Sequence, residues 1–185
     1  RRFRAVVDKA ISHGFMHAGY PVMITETEHT CDSLVNLDNL KSVGSWGVFH
    51  EFGHNMQEQN WVFDGSVEVS VNFFTLHAME KVVGTETFDN HIVQKGLAKF
   101  DNFKKDGKPW DRWTDDPVLA LLTFAMLRER EGSWDPFHKT MVQYLQEGPE
   151  KINDDEEKRK LFFQRLNANC SKDHSDLWVD WGISF

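Results

Sequence analysis

Apolar positions along this chain fall mostly at helical spacing, and the runs that depart from it are short. Phe3, Val6, Val7, Ala10 and Ile11 share one face of a helix predicted over residues 1–13, with Gly14 near its end. Pro21 to Thr25 reads as a short strand, and Ser33 to Val43 as a polar, loop-rich approach to an apolar-flanked helix carrying WGVFHEFGHNMQ. The next segment opens ambiguously, because Val67, Val69 and Val71 alternate with Glu68, Ser70 and Asn72 in the period of a half-buried strand. Its apolar pattern then continues through Phe73, Phe74, Leu76, Ala78, Met79, Val82 and Val83, a span too long for one strand. Asp64 or Ser66 can cap its start and Gly84 its end, so a helix is predicted. Further helices are predicted over about 86–104, over 117–131 with Asp116 as N-cap and Gly132 beyond, and over 136–146 with Asp135 as N-cap and Gly148 beyond. A last one follows Asn153, with Glu156 reaching back to complete a capping box, and runs to about Asn167. The pattern as a whole predicts an α+β fold, mostly α.

Within the helix around Trp46–Gln57, His50-Glu51-Phe52-Gly53-His54 spell HExxH. At i and i+4 the two imidazoles stand on one face and can converge on a zinc ion, while Glu51 points toward the metal's open side. Two helical histidines can also be an ordinary polar pair, but the complete motif carries a mechanism that such a pair lacks. Zinc needs a third protein ligand, and Glu68 is the best placed: it lies far enough beyond His54 for one helix to end, the chain to turn and another helix to begin. Glu58 is a rival but sits too far along a straight continuation of the first helix, and Glu80 would require the second helix to be displaced by its full length. Asn72, one turn after Glu68, can accept an N–H from His50 or His54 and hold its tautomer.

Composition adds bounds. The 185 residues are 40% hydrophobic and 13% aromatic, enough for one globular domain with a proper core. A formal net charge of −8 without a basic block argues against nucleic acid or an anionic membrane as the main partner. No apolar run reaches the length of a membrane span, and the chain opens on Arg1-Arg2-Phe3 without an initiator Met or a signal-type apolar segment, as expected of a piece of a longer chain. Cys31 and Cys170 lack C-x-x-C spacing and resemble neither zinc ligands nor positioned nucleophiles; one disulfide or two free thiols both fit.

The runs HAGYPVM (His17 to Met23), GSWGVFHEFGHNMQ (Gly44 to Gln57), Trp61, EVSVN (Glu68 to Asn72) and LWVDWGI (Leu177 to Ile183) resemble the enhancin-like mucin peptidases, metallopeptidase family sixty. The resemblance runs essentially from end to end. It implies a zincin-like, gluzincin-type catalytic domain: His50, His54 and Glu68 on zinc, Glu51 as general base, and glycoproteins such as mucins as substrates. It further implies a division into a strand-and-loop region with the zinc helix (1–62) and a helical subdomain bearing the third ligand (63–185). EFGHNMQEQNW (Glu51 to Trp61) and GSWDPFHKTMVQYLQ (Gly132 to Gln146) are particularly similar to the TRP-channel-associated-factor branch of the same superfamily.

Two function classes follow. The first is an active zinc endopeptidase on polypeptide or glycoprotein substrates, secreted or at the cell surface. The second is a regulatory module with protein partners, intracellular like the channel-associated branch. Such peptidases usually add a Tyr or His donor for the oxyanion, here drawn from Tyr20, Tyr144, His77, His91 and His138. Trp46 and Gly47 are read as a core aromatic and a tight backbone approach. Pro21 to Thr25 is the expected strand edge for an extended substrate. Trp110 and Trp113 are read either as plugs of the core or as a platform for sugar rings.

Overall fold

The computed structural model describes residues 3–148, 152 and 154–185. They form two compact units, Arg1–Gln57 with Val71–Glu86, and Glu58–Ser70 with Thr87–Phe185. The fold is mostly helical with one small sheet.

The first unit holds the sheet, made of β1 (Ala5–Asp8), β2 (Met16–His17) and β3 (Val22–Thr25) in the order β1-β3-β2. β3 runs parallel to β1, with Ala5 opposite Val22 and Asp8 opposite Thr25, and antiparallel to β2, with His17 opposite Met23. Val22 and Ile24 point inward and pack with Val48, partly covered by Val7, Met16, Leu34 and Phe52. Two expectations are corrected here. The apolar positions of residues 1–13 do match a helical period, but Ala5–Asp8 is claimed as a strand by pairing with β3, a partner that no local pattern reveals. For the same reason β3 is the central strand, not an edge, so its backbone is already paired on both sides.

The approach to the HExxH helix is also more ordered than its polarity implies. Thr27 and Thr30 form a reciprocal cap on α1 (Glu28–Val35), and Asn36 accepts from the Asn39 N–H to start α2 (Leu37–Ser42). α3 (Trp46–His54) carries the motif, and α4 (Val67–Ala78) carries Glu68 and Asn72. The helical reading of α4 thus holds over the strand reading. A turn of π-helix, Met79–Val83, continues it until Gly84 closes it at φ 80°.

The second unit contains α5 (His91–Lys105), α6 (Trp110–Asp115), α7 (Pro117–Glu131), α8 (Asp135–Glu147), α9 (Asp155–Ala168) and α10 (Ser175–Asp180). α7 begins and ends as its caps dictate: Asp116 accepts from the Leu119 N–H, Pro117 takes the first turn, and Gly132 turns left-handed at φ 71°. Elsewhere the ends shift. The helix expected from residue 86 is a 3-10 turn, Thr87–Asp89, followed by a fresh cap at Asn90. Asp135 is the first helical residue of α8 rather than its cap, and α9 is capped by Asp154, which accepts from the Glu157 N–H at 2.8 Å; Asn153 lies outside the described residues. Phe63, Trp113, Phe124, Phe162 and Phe163 form a buried aromatic core, and the Trp113 indole N–H is satisfied by Thr123 Oγ1 at 3.0 Å.

Candidate metal centre

α3 presents His50 and His54 one above the other, with ring centroids 4.6 Å apart and the rings nearly perpendicular. Their Nε2 atoms face each other at 3.1 Å. The other nitrogen of each ring is occupied: His50 Nδ1 lies 2.9 Å from Asn72 Oδ1, and His54 Nδ1 lies 2.8 Å from Gln57 Oε1. Carboxamide oxygens only accept, so both Nδ1 atoms carry a proton and both Nε2 atoms are turned toward the same point. An Nε2 that gives up its proton is a metal ligand, and two of them turned to one point can share a cation. Nitrogens bound tetrahedrally at about 2.0–2.1 Å sit roughly 3.3 Å apart, close to the spacing seen. The donor set therefore fits zinc.

The helix crossing explains why a glycine stands inside the motif. A Cβ at Gly53 would lie 2.8 Å from Val71 O and 2.9 Å from Val71 Cγ2, so α4 passes against bare backbone of α3. That approach brings Asn72 within reach of His50. Glu68 is one turn before Asn72 on the same unbroken helix and shares its face. One ligand atom each from His50, His54 and Glu68 lies within 4.8 Å of the other two, a grouping that includes neither Glu58 nor Glu80. Glu51 is half-buried, and its side chain makes no hydrogen bond or ion pair with the described residues.

Neighbouring contacts hold the end of α3. The Gly19 N–H donates to Asn55 Oδ1 at 3.2 Å and Asn55 Nδ2 donates to Gly19 O at 2.9 Å, tying the Gly19-Tyr20-Pro21 turn to the residue after His54. Gly47 is a close approach, 3.1 Å from Met16 Sδ to an added Cβ. Neither Gln57 nor Asn55 was singled out by sequence reasoning; the signal for Gln57 was its position three residues after His54, within reach of that imidazole on one further turn. The oxyanion candidates narrow, because Tyr144 is 1% exposed beneath the Arg165 guanidinium while Tyr20 is 60% exposed. The core-plug reading holds for Trp113. Trp113 is fully buried, while Trp110 is half-buried and stacks on it at 4.5 Å with Arg159 at 4.3 Å from its ring.

Residues 1–182 match the model of the family described as peptidase M60, enhancin and enhancin-like. The chain belongs to that family. Among curated proteins it is similar to a TRPM8 channel-associated factor homolog of Danio rerio, 32% identical over 98% of this chain and 20% of that protein. TRPM8 channel-associated factor 2 of Bos taurus is 30% identical over 97% of this chain and 19% of its own length. The chain thus spans about a fifth of the curated relatives it matches. A crystal structure of a functionally unknown conserved protein from Bacillus anthracis str. Ames shares the fold, with a TM-score of 0.72 at 23% identity over 97% of this chain and 36% of that one. Among the described residues no helix is long and apolar enough to cross a membrane.

Proposed function

We propose that this domain is the catalytic part of a zinc-dependent endopeptidase of the gluzincin type, with His50, His54 and Glu68 as zinc ligands and glycoproteins as the substrate class. The observation that carries the reading is the convergence of one ligand atom each from His50, His54 and Glu68 within 4.8 Å, with both histidine Nδ1 atoms committed to carboxamide oxygens. Zinc held there supplies a Lewis acid and lowers the pKa of a water in its open position toward neutrality. Glu51, about 100° around α3 from His50, takes a proton from the attacking water and delivers it to the leaving amine. Its lack of any other partner among the described residues leaves the carboxylate available for that transfer. Asn72 and Gln57 keep each imidazole in the one tautomer that can ligate. Tyr20, exposed on the turn tied to Asn55, is the tyrosine able to donate to the oxyanion. Glycoprotein substrates rest on the resemblance to the enhancin-like peptidases.

A second reading is favoured by the relatives, which are named as channel-associated factors: the domain binds protein partners and hydrolysis is absent. Metal analysis of the full-length chain beside its His50→Ala/His54→Ala variant separates the two. The peptidase reading expects the wild type to carry one zinc more than the variant and to cleave a mucin-type glycoprotein that the variant leaves intact. Equal zinc in both proteins contradicts it, and zinc without cleavage supports the binding reading.

A further inference from the structure

Glu131, Cys170 and His174 converge at the far end of α7, the end of α9 and the start of α10. Glu131 is the last residue of α7. Cys170 follows α9, held by its N–H to Asn167 O at 3.1 Å and by its thiol to Leu166 O at 3.2 Å. His174 begins α10, its carbonyl accepting from the Leu177 N–H at 2.9 Å. One ligand atom from each lies within 4.8 Å of the other two. His174 Nε2 is 2.5 Å from Glu131 Oε1, and these side chains are only 2% and 3% exposed, while Glu131 Oε2 accepts the Ser171 N–H at 2.9 Å.

We propose that Glu131, Cys170 and His174 form a second zinc site that staples α7, α9 and α10 together. A soft sulfur, an imidazole nitrogen and a carboxylate oxygen suit zinc and exclude the hard cations calcium and magnesium. Charge balances: thiolate and carboxylate together neutralise Zn²⁺, and the half-buried Cys170 side leaves the fourth position to water. On binding, the Cys170 S–H bond breaks and a Zn–S bond forms, with one proton released to solvent. The proton on His174 Nε2 also leaves that nitrogen, passing to Nδ1 if the ring is neutral or to solvent if the ring is charged, and Glu131 Oε1 exchanges that N–H for the metal while Oε2 keeps Ser171. Tetrahedral ligand atoms stand about 3.3–3.8 Å apart, so the imidazole and carboxylate separate by roughly 1 Å and the sulfur moves in. Burial, and then the Glu131 charge, push the Cys170 thiol up to about 12 when no cation is present. The thiol must give up its proton to bind a cation, so binding strengthens as pH rises.

The test is titration of the chelator-stripped full-length chain with Co²⁺, whose bond to a thiolate absorbs in the near ultraviolet. The HExxH site offers no sulfur and is silent there, so this readout is independent of the peptidase reading. The proposal expects a thiolate band that grows to a plateau with added Co²⁺, is displaced by Zn²⁺, and is lost in Cys170→Ser and in His174→Asn. No band, or a band unchanged in Cys170→Ser, overturns it. A measurement that leaves the cluster intact stands beside this: zinc X-ray absorption on the His50→Ala/His54→Ala chain should show one sulfur among nitrogen and oxygen neighbours, and no retained zinc, or zinc without sulfur, refutes the site.

Discussion

Replacing Gly53 with alanine tests whether the close crossing of α3 and α4 is what aligns the candidate metal centre. In an unconstrained helix interior the change stabilises by roughly 1 kcal/mol, because glycine loses more backbone freedom on folding. Here the new methyl would meet Val71 O at 2.8 Å and Val71 Cγ2 at 2.9 Å, whereas ordinary contact begins at 3.4 Å. α4 must therefore retreat by about 0.6 Å, the kind of overpacking that costs about 1–3 kcal/mol. The net expectation is a loss of up to about 2 kcal/mol in the metal-free protein. The same retreat stretches the His50–Asn72 hydrogen bond from 2.9 Å to about 3.5 Å, beyond useful geometry. With His50 no longer held in its ligating tautomer, zinc affinity should fall roughly tenfold to a hundredfold. Denaturant unfolding in the presence of chelator reads the first quantity, and competition with a chromophoric zinc chelator reads the second. A Gly53→Ala protein that is more stable than wild type and binds zinc equally well would refute the reasoning.

Asn72→Ala removes the acceptor without moving the helices, so zinc affinity should drop by a similar tenfold to hundredfold while Asn72→Asp retains it; unchanged affinity in the alanine variant, read by the same competition, counts against the role. Glu131 governs an acid limb of stability. Burial, the largest single influence, raises its pKa, but hydrogen bonds from Ser171 and His174 together outweigh it and leave the carboxyl below its ordinary value. A depressed folded-state pKa means stabilisation that is complete above the unfolded value, about 4.3, and lost as pH falls through the folded one. Glu131→Gln should therefore flatten the loss of stability of the chelator-treated protein as pH falls below about 4.3, and an unaltered acid limb would contradict this.

How far the fold was legible depended on whether its cause was local. α7 was readable to the residue because Asp116, Pro117 and Gly132 each act on their own turn. α4 was readable because its apolar run outlasts any strand, which put Glu68 and Asn72 one turn apart on a shared face. β1 was missed, since its strand character comes from pairing with β3, seventeen residues on, while its apolar spacing suits a helix. The central place of β3 was hidden for the same reason, as both neighbours had to be known first. α1 and α2 were overlooked because their stability lies in side-chain caps at Thr27 and Asn36 rather than in an apolar stripe. At the candidate site, HExxH announced itself, but Gln57 as the partner of His54 and Gly53 as the crossing point emerged only from three-dimensional contacts.

The central claim is that this domain hydrolyses peptide bonds, and Glu51→Gln in the zinc-loaded full-length chain tests it most directly on a mucin-type glycoprotein. Glutamine keeps the shape and hydrogen bonding of Glu51 but cannot take up the proton. The account predicts cleavage by the wild type, and in the variant an unchanged zinc content with turnover reduced roughly a hundredfold to ten-thousandfold. Undiminished turnover in the variant, loss of its zinc, or no cleavage by zinc-loaded wild type would contradict it.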